Sequence, residues 1–204
     1  MSRYLGPRVK KMRALGVVLP GLSTKNIERR PQPPGQHGPN RRRKPSDYAL
    51  RLNEKQKIRW NYGLSEKQLK RLMRESLASR VATGQKLIEL IERRLDNVVF
   101  RAGLAPTIPA ARQLVNHGHL KVNGRRVDIA SFRVRQGDKI EFRKRSQTLK
   151  SVTEALQAQG PFRPDWLKVD DVKRCVEVTG LPDGNAAPFP LEIQLVVEFY
   201  SRSL

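Results

Sequence analysis

His117-Gly118-His119-Leu120-Lys121-Val122-Asn123-Gly124-Arg125-Arg126-Val127 is the stretch on which the fold turns. Before it, apolar residues recur every three or four positions. Within it they alternate, and Asn123-Gly124 supplies the two positive φ angles of a type I′ turn between short strands. Further on, Phe132-Arg133-Val134-Arg135, Gly137-Asp138 and Ile140-Glu141-Phe142 repeat the short-strand pattern. Upstream, Leu87, Ile91, Leu95, Val98 and Ala102 form one stripe of a helix from about Gln85 to Ala102, with Gly103 as its stop. Thr107 can cap a short helix carrying Ala110, Ala111, Leu114 and Val115 to Gly118. Residues 86–143 are thus expected to form helix, turn, helix, then a small antiparallel sheet.

Two more helices precede this module. Ser46 can cap the first, with Asp47 at its positive end and Tyr48, Leu52 and Ile58 as apolar positions up to Gly63. Ser65-Glu66-Lys67-Gln68 has the form of a capping box, followed by Leu69, Leu72, Met73, Ser76 and Leu77 at helical spacing. Residues 1–45 lack periodicity, and Pro31-Gln32-Pro33-Pro34-Gly35-Gln36-His37-Gly38-Pro39 cannot continue a helix. That arm is expected to be extended, and ordered only on a partner. After the sheet, Leu149–Gln159 is weakly helical, and Trp166–Val169 and Arg174–Thr179 look like strands. The tail is ambiguous: alternation at Leu191, Ile193, Leu195, Val197 and Phe199 favours a strand, whereas Pro190 as a first-turn residue permits a helix.

Forty-one Lys and Arg against 19 Asp and Glu leave a formal charge of +22 over 204 residues. Such a body repels itself unless a polyanion neutralises it, and nucleic acid is the first candidate because each phosphate contact releases counterions. No apolar stretch approaches a membrane span, so a membrane partner is not expected. The surplus is uneven. Residues 1–45 carry 12 basic and 1 acidic side chain, and residues 151–204 carry 5 and 8. Polyanion contacts should therefore concentrate before residue 150. Cys175 is the only cysteine, which fits a reducing compartment. The start, Met1-Ser2-Arg3-Tyr4, lacks the apolar core of a secretory signal.

These residues carry a family resemblance. Arg93-Arg94-Leu95-Asp96-Asn97-Val98-Val99, Ala111-Arg112-Gln113-Leu114-Val115-Asn116-His117-Gly118-His119, Lys121-Val122-Asn123-Gly124-Arg125-Arg126 and Val134-Arg135-Gln136-Gly137-Asp138 closely resemble the RNA-binding module of the small-subunit ribosomal protein four family. The flanks resemble the same family in its bacterial or plastid form: Ser2-Arg3-Tyr4, Pro34-Gly35-Gln36-His37-Gly38, Tyr62-Gly63-Leu64 and Val197-Glu198-Phe199-Tyr200-Ser201. The resemblance implies an α+β fold in which a helical domain with a basic extended N-terminal arm is interrupted by the inserted RNA-binding module. The domains would be an arm at 1–45, a helical domain at 46–92 plus 188–204, and an insertion at 93–187 with its core at 93–150. The tail would then be a helix returning to residues 46–90. Many relatives bind zinc through four N-terminal cysteines. None stands here, so RNA or neighbouring proteins would have to hold the arm.

The candidate binding residues follow. In the module they are Arg112, His117, His119, Lys121, Asn123, Arg125 and Arg126, with backbone amides near Thr107 as a helix-start phosphate site. In the arm they are Arg3, Arg8, Lys10, Lys11, Arg13, Lys25, Arg29, Arg30, His37, Arg41, Arg42, Arg43 and Lys44. On the helices they are Arg59, Lys70 and Arg71, with Arg51, Lys55, Lys67 and Arg74 as weaker candidates. A cationic surface can also be merely solvated, and Arg41-Arg42-Arg43-Lys44 could be a localisation signal. His117 and His119 could suggest a metal, but no third ligand lies in sequence reach, and no metal, cofactor or small-molecule substrate is expected.

Similar modules ride on pseudouridine synthases and a tRNA synthetase. Asp96 superficially resembles a synthase's catalytic Asp, but it lies within the module and no separate catalytic domain fits the remaining length. No Gly-rich or His-Gly nucleotide signature precedes a helix, so an enzyme is not expected. A stand-alone factor binding free ribosomal subunits is the remaining alternative, opposed by the long arm and helical domain. The resemblance implies a component of the small subunit, in a bacterial cytoplasm or plastid stroma. It would bind a helix junction in the 5′ domain of small-subunit rRNA, nucleate assembly and affect decoding accuracy. Its other partners would be ribosomal proteins three and five and mRNA near the entry path.

Overall fold

Two serines set the first long helices in place. Ser46 accepts a hydrogen bond from the Ala49 amide at the start of α2 (Asp47–Asn61). Ser65 and Gln68 exchange side-chain and backbone bonds as a complete capping box at the start of α3 (Glu66–Leu77). The computed structural model describes residues 4–38, 44–147, 150–157 and 163–201. Arg3, Arg41, Arg42 and Arg43 therefore lie outside the described residues. The chain divides into two compact units, residues 1–87 with 187–204, and residues 88–186.

In the first unit, the arm is not wholly extended. Residues Arg8–Leu15 form a helix, α1, closed by Gly16 in the left-handed region with its amide bonded to the Met12 carbonyl. Met12, Leu19 and Leu22 are buried. The Gly21 amide donates to Asn61 Oδ1 at 2.9 Å, which ties the arm to the end of α2. Apolar burial and one buried amide contact thus anchor this part of the arm, which corrects the expectation that RNA or protein must hold it. The aperiodic pattern concealed this because Met12 is the only buried position of α1, while Leu19 and Leu22 follow in the loop.

The tail is a helix, α8 (Ile193–Ser201), packed along α2. It starts three residues after Pro190, so proline precedes its first turn rather than occupying it. Glu54, itself buried, accepts from the Glu192 amide at 3.1 Å and so holds the approach to α8. Arg51 pairs with Glu198 at 2.7 Å, and the Tyr200 hydroxyl donates to Glu66 at 2.8 Å beside Lys55. Burial alone would raise the Glu66 carboxyl, but hydrogen bonds from Tyr200 and Lys55 and the charges of Lys55 and Arg59 outweigh it and leave it below the usual carboxylate range. Tyr48, expected to be apolar packing, is instead largely exposed, with its ring 5.9 Å from Phe199.

In the second unit, the single helix expected from Gln85 to Ala102 is broken. It becomes α4 (Thr83–Glu92), which begins in the first unit, and α5 (Leu95–Arg101), with Arg94 extended between them. The cause lies in Phe132–Val134. The Leu95 amide donates to the Phe132 carbonyl at 2.8 Å, and the Val134 amide donates to the Arg93 carbonyl at 2.9 Å. The segment Phe132–Arg135, expected as a strand, spends its backbone groups on this break and forms only an isolated bridge, Arg94 to Arg133.

Helix α6 (Ile108–Asn116) follows, capped by Thr107, and packs on α5. The sheet has strands β1 (Leu120–Val122), β2 (Arg125–Arg126), β3 (Lys139–Phe142), β4 (Leu167–Asp170) and β5 (Cys175–Val178), with α7 (Lys150–Gln157) between β3 and β4. Its order is β2-β1-β3-β5-β4, antiparallel between each neighbouring pair. Val122, Ile140 and Val176 align across three strands and are buried, so the register follows from one apolar face. The mixed α+β architecture agrees with the sequence reading.

Because Met12 is fully buried, Met12→Ala should destabilise the protein by about 2–4 kcal/mol in urea titration. An arm that merely trails would leave the midpoint unchanged.

Candidate nucleic-acid interface

The cationic hairpin is built by its turn. Asn123 at φ 50° and Gly124 at φ 77° close β1 onto β2, the geometry an Asn-Gly pair adopts at least cost. Lys121 stands opposite Arg126 across the pair, and Val122 opposite Arg125. Val122 is buried, whereas Arg125 and Arg126 are exposed and Lys121 half-exposed. Gly118, at φ 68°, ends α6 so tightly that a methyl group there would overlap the Arg126 guanidinium. Arg126 therefore lies against the last turn of α6, next to exposed His117. A cation suits the negative end of a helix dipole.

Two further cations join this face that the sequence reading omitted. Leu120 pairs with Phe142, which sets Arg143 beside His119, and the Arg143 amide donates to the His119 carbonyl at 2.9 Å. The Arg143 guanidinium reaches the Gly118 carbonyl at 3.3 Å, and Lys144 is exposed on the short 3₁₀ turn that follows. Extending the hairpin register one residue past β3 would have found Arg143. The resulting edge presents His117, Lys121, Arg126, Arg143 and Lys144, with Arg125 exposed on the other side of the hairpin, across from Val122.

Three predicted site residues are engaged in hydrogen bonds within the fold. Asp96 is buried, and its carboxylate receives Arg94 through two hydrogen bonds of 3.1 and 2.9 Å and Arg112 through two of 2.9 and 2.6 Å. Arg112 thus braces α6 against α5. The same bonds make Asp96 a structural carboxylate, unlike the synthase Asp it superficially resembles. Asn123 spends both ends of its carboxamide on the turn before β3, accepting from the Lys139 amide at 2.9 Å and donating to Asp138 at 2.8 Å. His119 Nδ1 lies 3.0 Å from the Ser146 hydroxyl. Burial, aided by His117 and Arg143, holds its imidazole below the usual histidine range, so at neutral pH it is a hydrogen-bonding ring rather than a cation.

The expected helix-start phosphate site at Thr107 is largely consumed. Thr107 caps the Ala110 amide, and Pro109 offers no amide at all. Among the described residues, no group of three His, Cys, Asp or Glu side chains is placed to hold a metal ion.

The first unit carries its own basic surfaces. Lys10, Lys25, Arg29, Arg30, His37 and Lys44 are exposed. Arg8 and Arg13 are partly committed to the Leu22 and Gln32 carbonyls. Lys11 lies 4.7 Å from the Trp60 ring centroid and Arg59 5.2 Å from it, with the Tyr4 ring edge-on at 4.6 Å. Trp60 is thus packed among cations rather than presented as a stacking platform. On α3, Lys67, Arg71 and Arg74 are exposed at spacings of four and three, so they lie along one face, with Lys70 half-buried nearby.

Known proteins resemble this chain along its whole length. Residues 3–92 match the ribosomal protein S4/S9 N-terminal domain, and residues 93–140 match the S4 domain. Over its full length the chain is 54% identical to small ribosomal subunit protein uS4 of Methylobacillus flagellatus, and 52% identical to uS4B of Nitrosomonas europaea, with the whole of each relative covered. Nostoc punctiforme uS4 is 52% identical, with 99% of both chains covered.

Removing the Asp96 carboxylate leaves two guanidinium groups in a site built around it. Asp96→Ala should cost about 3–5 kcal/mol of stability by chemical denaturation, and a decrease no larger than that of an average surface substitution would contradict the bracing role.

Proposed function

The chain belongs to the small ribosomal subunit protein uS4 family, and from that premise we propose that it is a structural, rRNA-binding component of the small subunit. The observation that carries this reading is the face formed by the end of α6, the β1–β2 hairpin and the residues after β3. There, exposed cations outnumber the exposed carboxylate Asp128, which lies 3.9 Å from Arg126, while Asp96 and Glu92 are buried against arginines. Acidic groups spent inside the fold leave the outer potential positive, which suits a polyanion.

Physically, the protein would act by charge and shape. RNA helices that meet at a junction repel one another through their phosphates. Cations fixed on a folded scaffold lower that repulsion for one mutual arrangement and not for others. We assign Lys121, Arg125, Arg126, His117, Arg143 and Lys144 to phosphate and groove contacts, and give Arg112 and Asn123 internal roles. The exposed arm cations and the α3 row Lys67, Arg71 and Arg74 would bind further RNA segments. Arg3 and Arg41–Arg43 are retained as arm cations on sequence grounds alone.

The finer proposal follows the family resemblance. The RNA is a helix junction in the 5′ domain of small-subunit rRNA, binding there nucleates assembly, and the mature position influences decoding accuracy beside the mRNA entry path. Ribosomal proteins three and five would be the protein neighbours, and the compartment a bacterial cytoplasm or plastid stroma. The excess of acidic over basic residues in 151–204 favours protein rather than RNA contacts there.

Affinity for the 5′ domain RNA should fall steeply with salt. Arg125→Ala combined with Arg126→Ala should weaken binding roughly tenfold at moderate salt and lower the log–log salt slope by about one for each phosphate no longer neutralised. Unchanged affinity and slope would remove the hairpin from the interface. Retention at one copy per salt-washed small subunit separates a structural component from a factor, which would wash off.

A further inference from the structure

The hairpin's cations depend on a connection that lies outside the hairpin. Asn123 bonds to the turn before β3 in three ways: its amide donates to the Lys139 carbonyl at 2.8 Å, its Oδ1 accepts from the Lys139 amide at 2.9 Å, and its Nδ2 donates to Asp138 Oδ1 at 2.8 Å. The other Asp138 oxygen accepts from the Arg135 amide at 2.7 Å. Two turns distant in sequence are thereby joined by one carboxamide and one carboxylate. At position 123 the backbone is left-handed. Asn tolerates that conformation better than most side chains and also supplies both a donor and an acceptor.

We propose that Asn123 and Asp138 form a clamp that positions the cationic hairpin, and that Asn123-Gly124 is a modification site at which deamidation destroys the clamp. This rests on the RNA-binding reading above and names Asn123 as a positioning residue within it.

The chemistry is the ordinary reaction of an Asn-Gly pair. The Gly124 backbone nitrogen attacks the Asn123 side-chain carbonyl carbon, a carbon–nitrogen bond forms, and the side-chain nitrogen leaves as ammonia. Water then opens the cyclic imide at either carbonyl, giving aspartate or isoaspartate. Asn123 is exposed, and Gly124 has no side chain to hinder its backbone nitrogen in this attack. What restrains it is the clamp, which holds both ends of the carboxamide. The product lacks the Nδ2 donor and places a second carboxylate against Asp138, where a like-charge pair is disfavoured. Conversion therefore removes the bond and adds a repulsion at the same point.

Three full-chain variants test this against simple surface charge: Asn123→Asp, Asp138→Asn and the two together. Asn123→Asp should weaken binding to 5′ domain rRNA by about fivefold or more, the scale set by removing one charge-assisted hydrogen bond. Asp138→Asn raises the net positive charge, so charge alone predicts tighter binding. The clamp predicts weaker binding, because Asn123 and Arg135 donate to different Asp138 oxygens and an asparagine keeps an oxygen at only one of those two positions. In the double variant the polarity is reversed, with a carboxylate at 123 accepting from an amide at 138 while that amide's oxygen accepts from Arg135. Its affinity should return to within about twofold of the parent. Tighter binding by Asp138→Asn, or a double variant that fails to recover, overturns the positioning role.

Two readouts need no RNA. Hydrogen exchange at the Lys139 amide should accelerate in each single variant and recover in the double variant, and unchanged exchange overturns the clamp. Deamidation of Asn123 at mildly alkaline pH, followed by peptide mass, should be faster in Asp138→Asn than in the parent, and equal rates overturn the protective role. A parent protein that ignores the RNA would refute the binding reading, and the exchange and deamidation measurements would still decide the clamp.

Discussion

Asp96 holds two guanidinium groups in a buried place, and much of the second unit is arranged around that ion cluster. Arg94 reaches it from the break between α4 and α5, and Arg112 reaches it from α6. A buried carboxylate with one arginine offsets its own desolvation poorly. Four hydrogen bonds from two arginines, plus one from the Asn97 amide at 3.0 Å, satisfy it far better. The cluster holds α6 against α5, and Gly118 ends α6 and releases the chain into β1. Glu92 repeats the device one turn earlier, accepting from Asn97 Nδ2 at 2.8 Å with Arg101 nearby.

This gives the charge distribution a physical logic. A chain with 41 basic and 19 acidic residues could spread its carboxylates over the surface and dilute its own field. Around the α4–α6 region it instead buries Glu92 and Asp96 in contact with arginines. Cations outnumber carboxylates on the outer rim of α6 and the hairpin, where exposed Asp128 lies 3.9 Å from Arg126 and Asp138 bonds Asn123. Farther along the sheet the balance changes: Lys121 faces Glu141 across β1 and β3, and Lys139 faces Glu177 across β3 and β5. Positive potential is therefore concentrated at the β1–β2 edge and tempered toward β4.

The capped helices, the Asn-Gly hairpin and the α+β class were legible because local chemistry determines them. Ser46, Ser65 and Thr107 cap where their side chains allow, and only a few residue pairs form a type I′ turn. The α4–α5 break was not legible, since the stripe Leu87, Ile91, Leu95, Val98, Ala102 continues unbroken through it. The interruption comes from Phe132–Val134, about forty residues away, whose backbone competes for the helix's own hydrogen bonds. Helix α1 is hidden for the opposite reason, having a single buried side chain and therefore no stripe. At the site, residue type reveals which groups are cationic but not which way they point. Arg112 and Arg125 look alike in the sequence, yet one serves Asp96 and the other is exposed. Arg143 was missed although strand register would have placed it.

The central claim is that RNA meets the second unit at the end of α6, the hairpin and the residues following β3. Hydrogen–deuterium exchange of the full protein, with and without 5′ domain rRNA, tests it most directly. Slowed exchange centred on residues 117–126 and 143–144 is the predicted result. Slowing confined to residues 163–186, with the hairpin unaffected, would contradict it.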